Sequence, residues 1–145
     1  MCNRKRMRVL NTLAVALLLA SVFLLGNAAS AQNLVCPPPL KAMMRAELFF
    51  GRNIGGELGV SDRQWTQFVA RELTPRFPNG LTVIDGKGQW RGDSTIMRET
   101  SKIVIVVLTD TADAHDRLAA VTAAYKKHFA QKSVGFVTQP VCAAF

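Results

Sequence analysis

Five side chains that could bind a ligand stand on or near the first two strands predicted below: Arg45, Glu47, Arg76, Asp85 and Trp90. A carboxylate in an apolar groove, as expected for Glu47, can serve as a general acid or base, and a guanidinium such as that of Arg45 can hold an anionic group. We therefore predict these five as candidate ligand-binding residues. Their spacing identifies no catalytic residue, so the sequence leaves open whether the protein is an enzyme.

Other arrangements that bind cofactors or metals find no support in the sequence. The glycine-rich loop at 51–59 has Glu57 and Leu58 where a phosphate-binding loop needs a lysine and a hydroxyl residue, so we interpret it as a connector. His115 and His128 lie on one predicted helix, about 20 Å apart along its axis, and cannot share a metal ion. The spacing of Cys and His is not that of a zinc site. We expect no cofactor and no metal.

The elements that position the five candidates begin with a strand at 44–50 and a helix at 62–73. Alternation along the strand predicts two faces, one with Ala46, Leu48 and Phe50 and the other with Arg45, Glu47 and Phe49. Ser61 and Gln64 form a capping box at the start of the helix, and Pro75 and Pro78 are expected to end it. The helix should bury one stripe: Trp65, Phe68, Val69 and Leu73.

The second half of the domain is predicted to hold three strands and one helix. A strand begins at Leu81, and the glycines of 85–88 allow either a hairpin turn or a bulge through which the strand continues to Trp90. We favour the bulge, because 91–94 forms a better placed turn before a strand at 96–108. A second helix, capped by Asp110 or Thr111, runs to about Gln131, and a last strand covers 134–141. The helix should bury Ala114, Leu118, Val121, Tyr125 and Phe129.

The order strand, helix, strand, strand, helix, strand predicts a ferredoxin-like α+β sandwich, in which two helices cover one face of a four-stranded antiparallel sheet. The other face, called the open face here, would carry Arg45, Glu47 and Phe49 beside aliphatic side chains of the third strand. A half-apolar surface of this kind is unfavourable in water. We expect a second copy of the chain to cover it, giving a homodimer. The alternative is a groove that binds a small molecule.

The first 31 residues have the order of a secretory signal peptide. Four basic residues within 1–8 precede an apolar run at 9–26, and Ala29 and Ala31 match the small residues that a signal peptidase requires. We predict cleavage between Ala31 and Gln32, an extended Pro-rich arm at 32–43, a single domain at 44–142, and a periplasmic or secreted location. An uncleaved membrane anchor is the alternative, because the apolar run approaches the length that spans a bilayer. After cleavage, no membrane contact is expected.

Cys36 and Cys142 lie near the two ends of the mature chain. Thiols pair in an oxidising compartment, and the predicted topology brings the start of the first strand beside the end of the fourth, so we predict a disulfide between them. Loss of the signal removes four of the 18 Lys and Arg and none of the Asp and Glu, which lowers the net charge from +8 to +4. The remaining basic residues form no stripe with aromatics, so no nucleic-acid partner is expected.

Three motifs resemble a bacterial exported family known as domain of unknown function 3574: TPRFPNGLTV at 74–83, GQW at 88–90 and ELFFG at 47–51. The resemblance runs from about Met44 to Val141 and supports the class of an exported domain, but it implies no activity and no catalytic residues. We expect a periplasmic ligand-binding or protein-interaction module. The alternatives are an enzyme acting on a small molecule in the open-face groove and a structural component of the envelope.

Overall fold

A computed structural model describes residues 34–92 and 94–145, so the predicted signal peptide and its cleavage site lie outside the described residues. One sheet contains β1 (Lys41–Gly51), β4 (Thr82–Arg91), β5 (Ile96–Leu108) and β6 (Gly135–Ala143). Its order is β4-β5-β1-β6, and every neighbouring pair is antiparallel. Two helical segments cross one face. This is the predicted ferredoxin-like architecture, and β1 begins three residues before the predicted Met44.

Helix α1 is longer than predicted and changes its winding. It is α-helical over Asp62–Phe68, π-helical over Val69–Leu73 and α-helical again over Thr74–Arg76. The predicted capping box of Ser61 and Gln64 is present. Pro75 does not end the helix as expected. A proline lacks an N–H and crowds the carbonyl four residues earlier, and the wider π turn, in which the Thr74 N–H donates to the Val69 carbonyl, relieves that crowding.

Helix α2 (Ala112–Phe129) is capped by Thr111, whose side chain accepts a hydrogen bond from the Ala114 N–H. It ends two residues before the predicted Gln131, because Ala130 adopts a left-handed conformation with φ of 52°. Its five predicted core positions are all buried. Along α1, three of the four predicted positions are buried, and Val69 is partly buried. The helical periodicity of the sequence therefore identified the packing faces correctly.

Strand β4 continues through Trp90, as predicted, but without a bulge. Its pairing with β5 is regular from Thr82 opposite Ile105 to Arg91 opposite Ile96. Gly86 has another cause: a Cβ at this position would lie 2.8 Å from the Ser101 hydroxyl oxygen of the neighbouring strand. Close approach of a side chain, and not an extra residue in the strand, therefore explains the glycine that suggested a bulge.

The loop predicted as a connector at 51–59 contains a small hairpin. Strands β2 (Asn53–Ile54) and β3 (Glu57–Leu58) pair across Gly55 and Gly56, which have φ of 64° and 95°. Two successive positive φ values belong to the tight hairpin turn that glycine adopts without steric cost. No alternating pattern marks these strands in the sequence, since each has only two residues.

The core lies between the two helices and the central strands β1 and β5. Met44, Ala46, Leu48 and Phe50 alternate along β1 and are all buried on the helix side. Phe50 packs at the centre of an aromatic cluster, with ring centroids 5.4 Å from Trp65 and 4.7 Å from Tyr125. The predicted disulfide between Cys36 and Cys142 is present, with the two Cα atoms 5.5 Å apart, and it joins the segment before β1 to the end of β6.

Within residues 34–92 and 94–145, no helix is long and apolar enough to cross a membrane. The same residues contain no cluster of three or more His, Cys, Asp and Glu side chains arranged to hold a metal ion.

Candidate functional site

The open face of the sheet collects one of every two residues from its four strands, as the alternation of β1 predicted. Because directly paired residues share a face, the register places residues 43, 45, 47 and 49 of β1 there with their partners on β5 and β6. The exposed fractions of four large apolar side chains on this face range from 38% to 54%. The large apolar members of the face are Met43, Phe49, Ile84, Trp90, Met97, Ile103, Ile105, Val107, Val137 and Val141.

Arg45 and Glu47 form an ion pair at the middle of the open face, with Arg45 Nη2 2.9 Å from Glu47 Oε1. Their partners on β5 are Val107 and Ile105, so the pair is bordered by aliphatic side chains. The Arg45 Nε atom is buried and has no hydrogen-bond acceptor within the part of the chain that the structure describes. The two predicted candidates therefore do meet, in an apolar setting that leaves the guanidinium incompletely satisfied.

Trp90 lies on the same face but far from that pair. It is opposite Met97 on β5, whereas Glu47 is opposite Ile105, eight residues further along the strand. At about 3.3 Å per residue this separation is about 26 Å along β5. Trp90 is therefore part of a different region of the face, and its side chain is half exposed.

Asp85 lies on the helix side of β4, not on the open face. Its carboxylate pairs with the buried ammonium of Lys102, which also lies 3.6 Å from Asp62 at the start of α1. Asp62 in turn accepts Arg52 at 3.1 Å. Two buried cations and two exposed carboxylates thus form one network, and Asp85 has a structural role in neutralising a buried charge.

Arg76, the last predicted candidate, lies at the end of α1. It pairs with Glu72 at 2.6 Å, and its backbone carbonyl accepts a hydrogen bond from Arg117 of α2 at 2.8 Å. These contacts tie the two helices together. The five candidates are therefore distributed over both sides of the sheet and do not form one site.

A cleft of about 560 Å³ lies at one end of the open face, and we call it the end cleft. It is bounded by the end of β1, the hairpin of β2 and β3, the facing ends of β4 and β5, and the segment between α2 and β6. Trp90 is the one predicted candidate that lines it. Its main side-chain groups are Phe49, Trp90, Met97, Glu99, Gln131 and Ser133. The volume falls in the range of small-molecule sites.

Glu99 is the cleft residue that the sequence analysis missed. Its carboxylate lies directly over Gly51 of β1, where an added Cβ would be 2.7 Å from Oε2. The signal available in the sequence was the polar residue Glu99 at an open-face position of β5, but its proximity to Gly51 depends on strand register. Only the pairing of β1 with β5 brings the two together.

Tyr125 supports the same point of β1 from the helix side. Its hydroxyl donates to the Gly51 carbonyl at 2.8 Å. Burial raises the pKa of Tyr125 well above its usual value; nearby Arg52 lowers it and nearby Glu99 raises it further, and burial dominates. Tyr125 is thus a neutral hydrogen-bond donor over the physiological pH range.

A second cleft, of about 520 Å³, lies near the other end of the sheet and is lined partly by 77–82, Arg117 and Phe145. None of the five predicted candidates lines it. Phe145 is 98% exposed, so it adds no packed wall. The end cleft, which combines aromatic side chains with a half-buried carboxylate, is the better formed of the two.

The sequence profile of a family described as "Protein of unknown function (DUF3574)" matches residues 45–145 of this chain. The chain belongs to the DUF3574 family. This confirms the resemblance drawn from the three motifs, and the description assigns the family no activity. No curated protein sequence matches the chain significantly.

Two of the solved structures similar to this DUF3574 chain have low sequence identity to it. A phage SAM lyase in complex with S-methyl-5'-thioadenosine is 15% identical, with a TM-score of 0.56 over 78% of this chain and 95% of that chain. CutA from Synechococcus elongatus is 12% identical, with a TM-score of 0.49 over 72% of this chain and 82% of that chain. The likeness to the phage SAM lyase shows the fold alone.

Proposed function

We propose that the protein is an exported interaction module whose open face binds a second copy of the chain. Two features support export: the apolar segment at 9–26 behind four basic residues, and the disulfide between Cys36 and Cys142. The mature chain would then consist of residues 32–145. The observation that carries the interaction is the half-apolar open face, since a contiguous apolar patch beside an ion pair is typical of a protein-protein interface.

The charges of β1 favour a second copy over an unrelated partner. Arg45 and Glu47 have opposite charge and stand two residues apart on the same face. Consider two copies whose open faces are stacked, related by a two-fold axis that lies between the sheets, perpendicular to β1 and above Ala46. This axis places Arg45 of each copy opposite Glu47 of the other. The surface is therefore complementary to itself in one orientation. The bordering residues Ile105 and Val107 would then meet apolar side chains of the second copy.

Charge reversal of this pair tests the interface. Native mass spectrometry and light scattering of the mature chain at micromolar concentration should give a dimer. Arg45→Glu sets like charges opposite each other and should weaken dimerisation by at least tenfold, because juxtaposed like charges oppose association. Glu47→Arg should do the same. The double variant Arg45→Glu with Glu47→Arg restores opposite charges and should recover the dimer.

The matched control is Arg63→Glu, which makes the same charge change on the exposed surface of α1. It should leave the dimer intact. A wild-type chain that stays monomeric, or single variants that dimerise as the wild type does, would overturn the proposal. The mass of the exported chain also reports whether it begins at Gln32. A structural envelope component, by contrast, would co-purify with a larger assembly and show no dependence on Arg45 or Glu47.

A further inference from the structure

The end cleft contains a carboxylate, that of Glu99, which has no cationic partner among residues 34–92 and 94–145. Among the described residues 34–92 and 94–145, three carboxylate side chains are half buried: Glu47, Glu72 and Glu99. Glu47 pairs with Arg45, and Glu72 pairs with Arg76. Within those same ranges Glu99 has no lysine, arginine or histidine nitrogen within the 4 Å of an ion pair. An ionised carboxylate that loses part of its hydration is stabilised by a positive charge.

The apolar residues near Glu99 suit the apolar part of a ligand. On the open face, Met97 with its partner Trp90 stands next to Glu99 on one side. On the other side, Phe49 lines the cleft beyond Ser101 and its partner Gly51. Trp90 is 52% exposed and Phe49 is 38% exposed. Aromatic faces attract cations, and the thioether of Met97 packs well against irregular organic groups.

The rim of the cleft is held by a polar contact and carries two exposed cations. Gln131 donates from Nε2 to the Asn53 carbonyl at 2.9 Å, which joins the hairpin to the segment after α2. Arg98 and Lys132 also line the cleft, but both are exposed and neither pairs with Glu99. Their charges are screened by solvent, whereas the charge of Glu99 is partly shielded from it.

From these observations we propose that the end cleft binds a small organic cation, with its apolar body against Trp90 and its positive group on the Glu99 carboxylate. A substituted ammonium fits this chemistry, since it combines a positive charge with weak hydration. The cleft is built from one chain. Binding there is independent of the proposed dimer, so the two proposals can fail separately.

Isothermal titration calorimetry with three matched probes tests the site on the disulfide-bonded mature chain. Benzyltrimethylammonium carries an aromatic body and a positive charge, benzyl alcohol is neutral, and benzoate is negative. The cation should bind at least tenfold more tightly than benzyl alcohol, and benzoate more weakly still. Equal binding of the cation and benzyl alcohol, tighter binding of benzoate, or no binding of the cation at millimolar concentration would overturn the proposal.

Two substitutions locate the binding. Glu99→Gln keeps the shape of the side chain and removes its charge, and it should lower the affinity for benzyltrimethylammonium at least tenfold. Trp90→Leu, on an exposed edge strand, should lower it several-fold without unfolding the domain. Glu57→Gln makes the same change on the exposed hairpin next to the cleft and should leave the affinity unchanged. If Glu99→Gln binds as the wild type does, the site is wrong.

The same titration on Arg45→Glu separates this site from the interface. The dimer should be lost and the affinity for benzyltrimethylammonium kept, because Arg45 lies near the middle of the open face and Trp90 lies at one end of it. Loss of cation binding together with the dimer would contradict a cleft built from one chain. Circular dichroism of each variant establishes that it is folded before the titrations are compared.

Discussion

The two faces of the sheet are made from alternating residues of the same strands, yet they differ in how far the rest of the chain covers them. On the helix side, Ala46 and Leu48 of β1 are 0% exposed, because both helices pack over them. On the open side, Arg45 and Glu47 keep side-chain exposures of 37% and 27%. The chain covers one face by itself and leaves the other face partly apolar. The uncovered face is the one that we propose contacts a second copy of the chain.

The helices also cover the strands unevenly. The buried sheet residues on the helix side belong to the central strands β1 and β5. Phe136 of β6 projects toward the helix side but is 48% exposed, and Val137 on the open side is 54% exposed. Strand β6 is therefore uncovered on both faces. Its attachment depends on hydrogen bonds to β1 and on the disulfide at its end.

The two faces should differ most in how much stability the protein loses when one of two adjacent phenylalanines, Phe50 or Phe49, is replaced. Phe50 is 0% exposed and packs on three aromatic rings, whereas its neighbour Phe49 lies on the open face. Phe50→Ala should lower the free energy of unfolding by about 3–5 kcal/mol, because it removes a buried ring and leaves a cavity. Urea unfolding followed by circular dichroism measures this loss.

Phe49→Ala is the matched control, since it removes the same ring from the next position. In the monomeric Arg45→Glu background its cost should stay below about 2 kcal/mol, because Phe49 is already 38% exposed and its removal leaves no closed cavity. Equal losses for the two variants would contradict the assignment of the faces.

The disulfide should have the next largest effect, because it fixes the strand that neither face covers. Replacing both cysteines, as Cys36→Ser with Cys142→Ser, should lower the free energy of unfolding by about 2–4 kcal/mol, since it releases a long covalent loop in the unfolded chain. Reductant should weaken the wild type by a similar amount and leave the double variant unchanged. A double variant that unfolds at the wild-type urea concentration would show that β6 is held without the bond.

Sequence periodicity predicted the fold well because the core depends on local spacing. The stripes of α1 and α2 and the alternation of β1 each lie within one element, and each predicted its buried face. The candidate site was predicted poorly because it depends on contacts between elements. Asp85 lies on the helix side of β4 and pairs with Lys102 of the neighbouring strand. Glu99 lies close to Gly51 only because of the register between β5 and β1.

Two local predictions, the end of α1 and the bulge in β4, were wrong because contacts outside the local sequence determine the structure there. Pro75 predicts a helix end, but a π turn lets α1 continue to Arg76. Gly86 and Gly88 suggested a bulge, whereas the strand is regular and the Ser101 side chain leaves no room for a Cβ at Gly86. In both places the residue type marked an unusual backbone position. The reason for it is a contact with a neighbouring residue, which the sequence does not identify.

The smallest expected loss of stability is at Gly51, which side chains from both sides of the sheet contact. Tyr125 holds its carbonyl from the helix side, and Glu99 covers it on the open side. Tyr125→Phe removes the hydrogen bond and should lower the free energy of unfolding by about 1 kcal/mol at pH 7, since the buried carbonyl loses its donor. Thermal or urea unfolding of the two proteins measures the difference.

At alkaline pH the Tyr125→Phe variant should become more stable than the wild type. The folded state raises the pKa of Tyr125 far above its ordinary value of about 10, so the unfolded chain ionises first and the wild type loses about 1.4 kcal/mol per pH unit above pH 10. The phenylalanine variant has no such loss, and the other groups titrate equally in both proteins. The two stabilities should therefore cross near pH 11. Tyr125 is the only tyrosine of the chain, so tyrosinate absorbance reports its ionisation directly. Ionisation near pH 10 in the folded protein would show that the hydroxyl is open to solvent and that the helix side does not seal this end of the sheet.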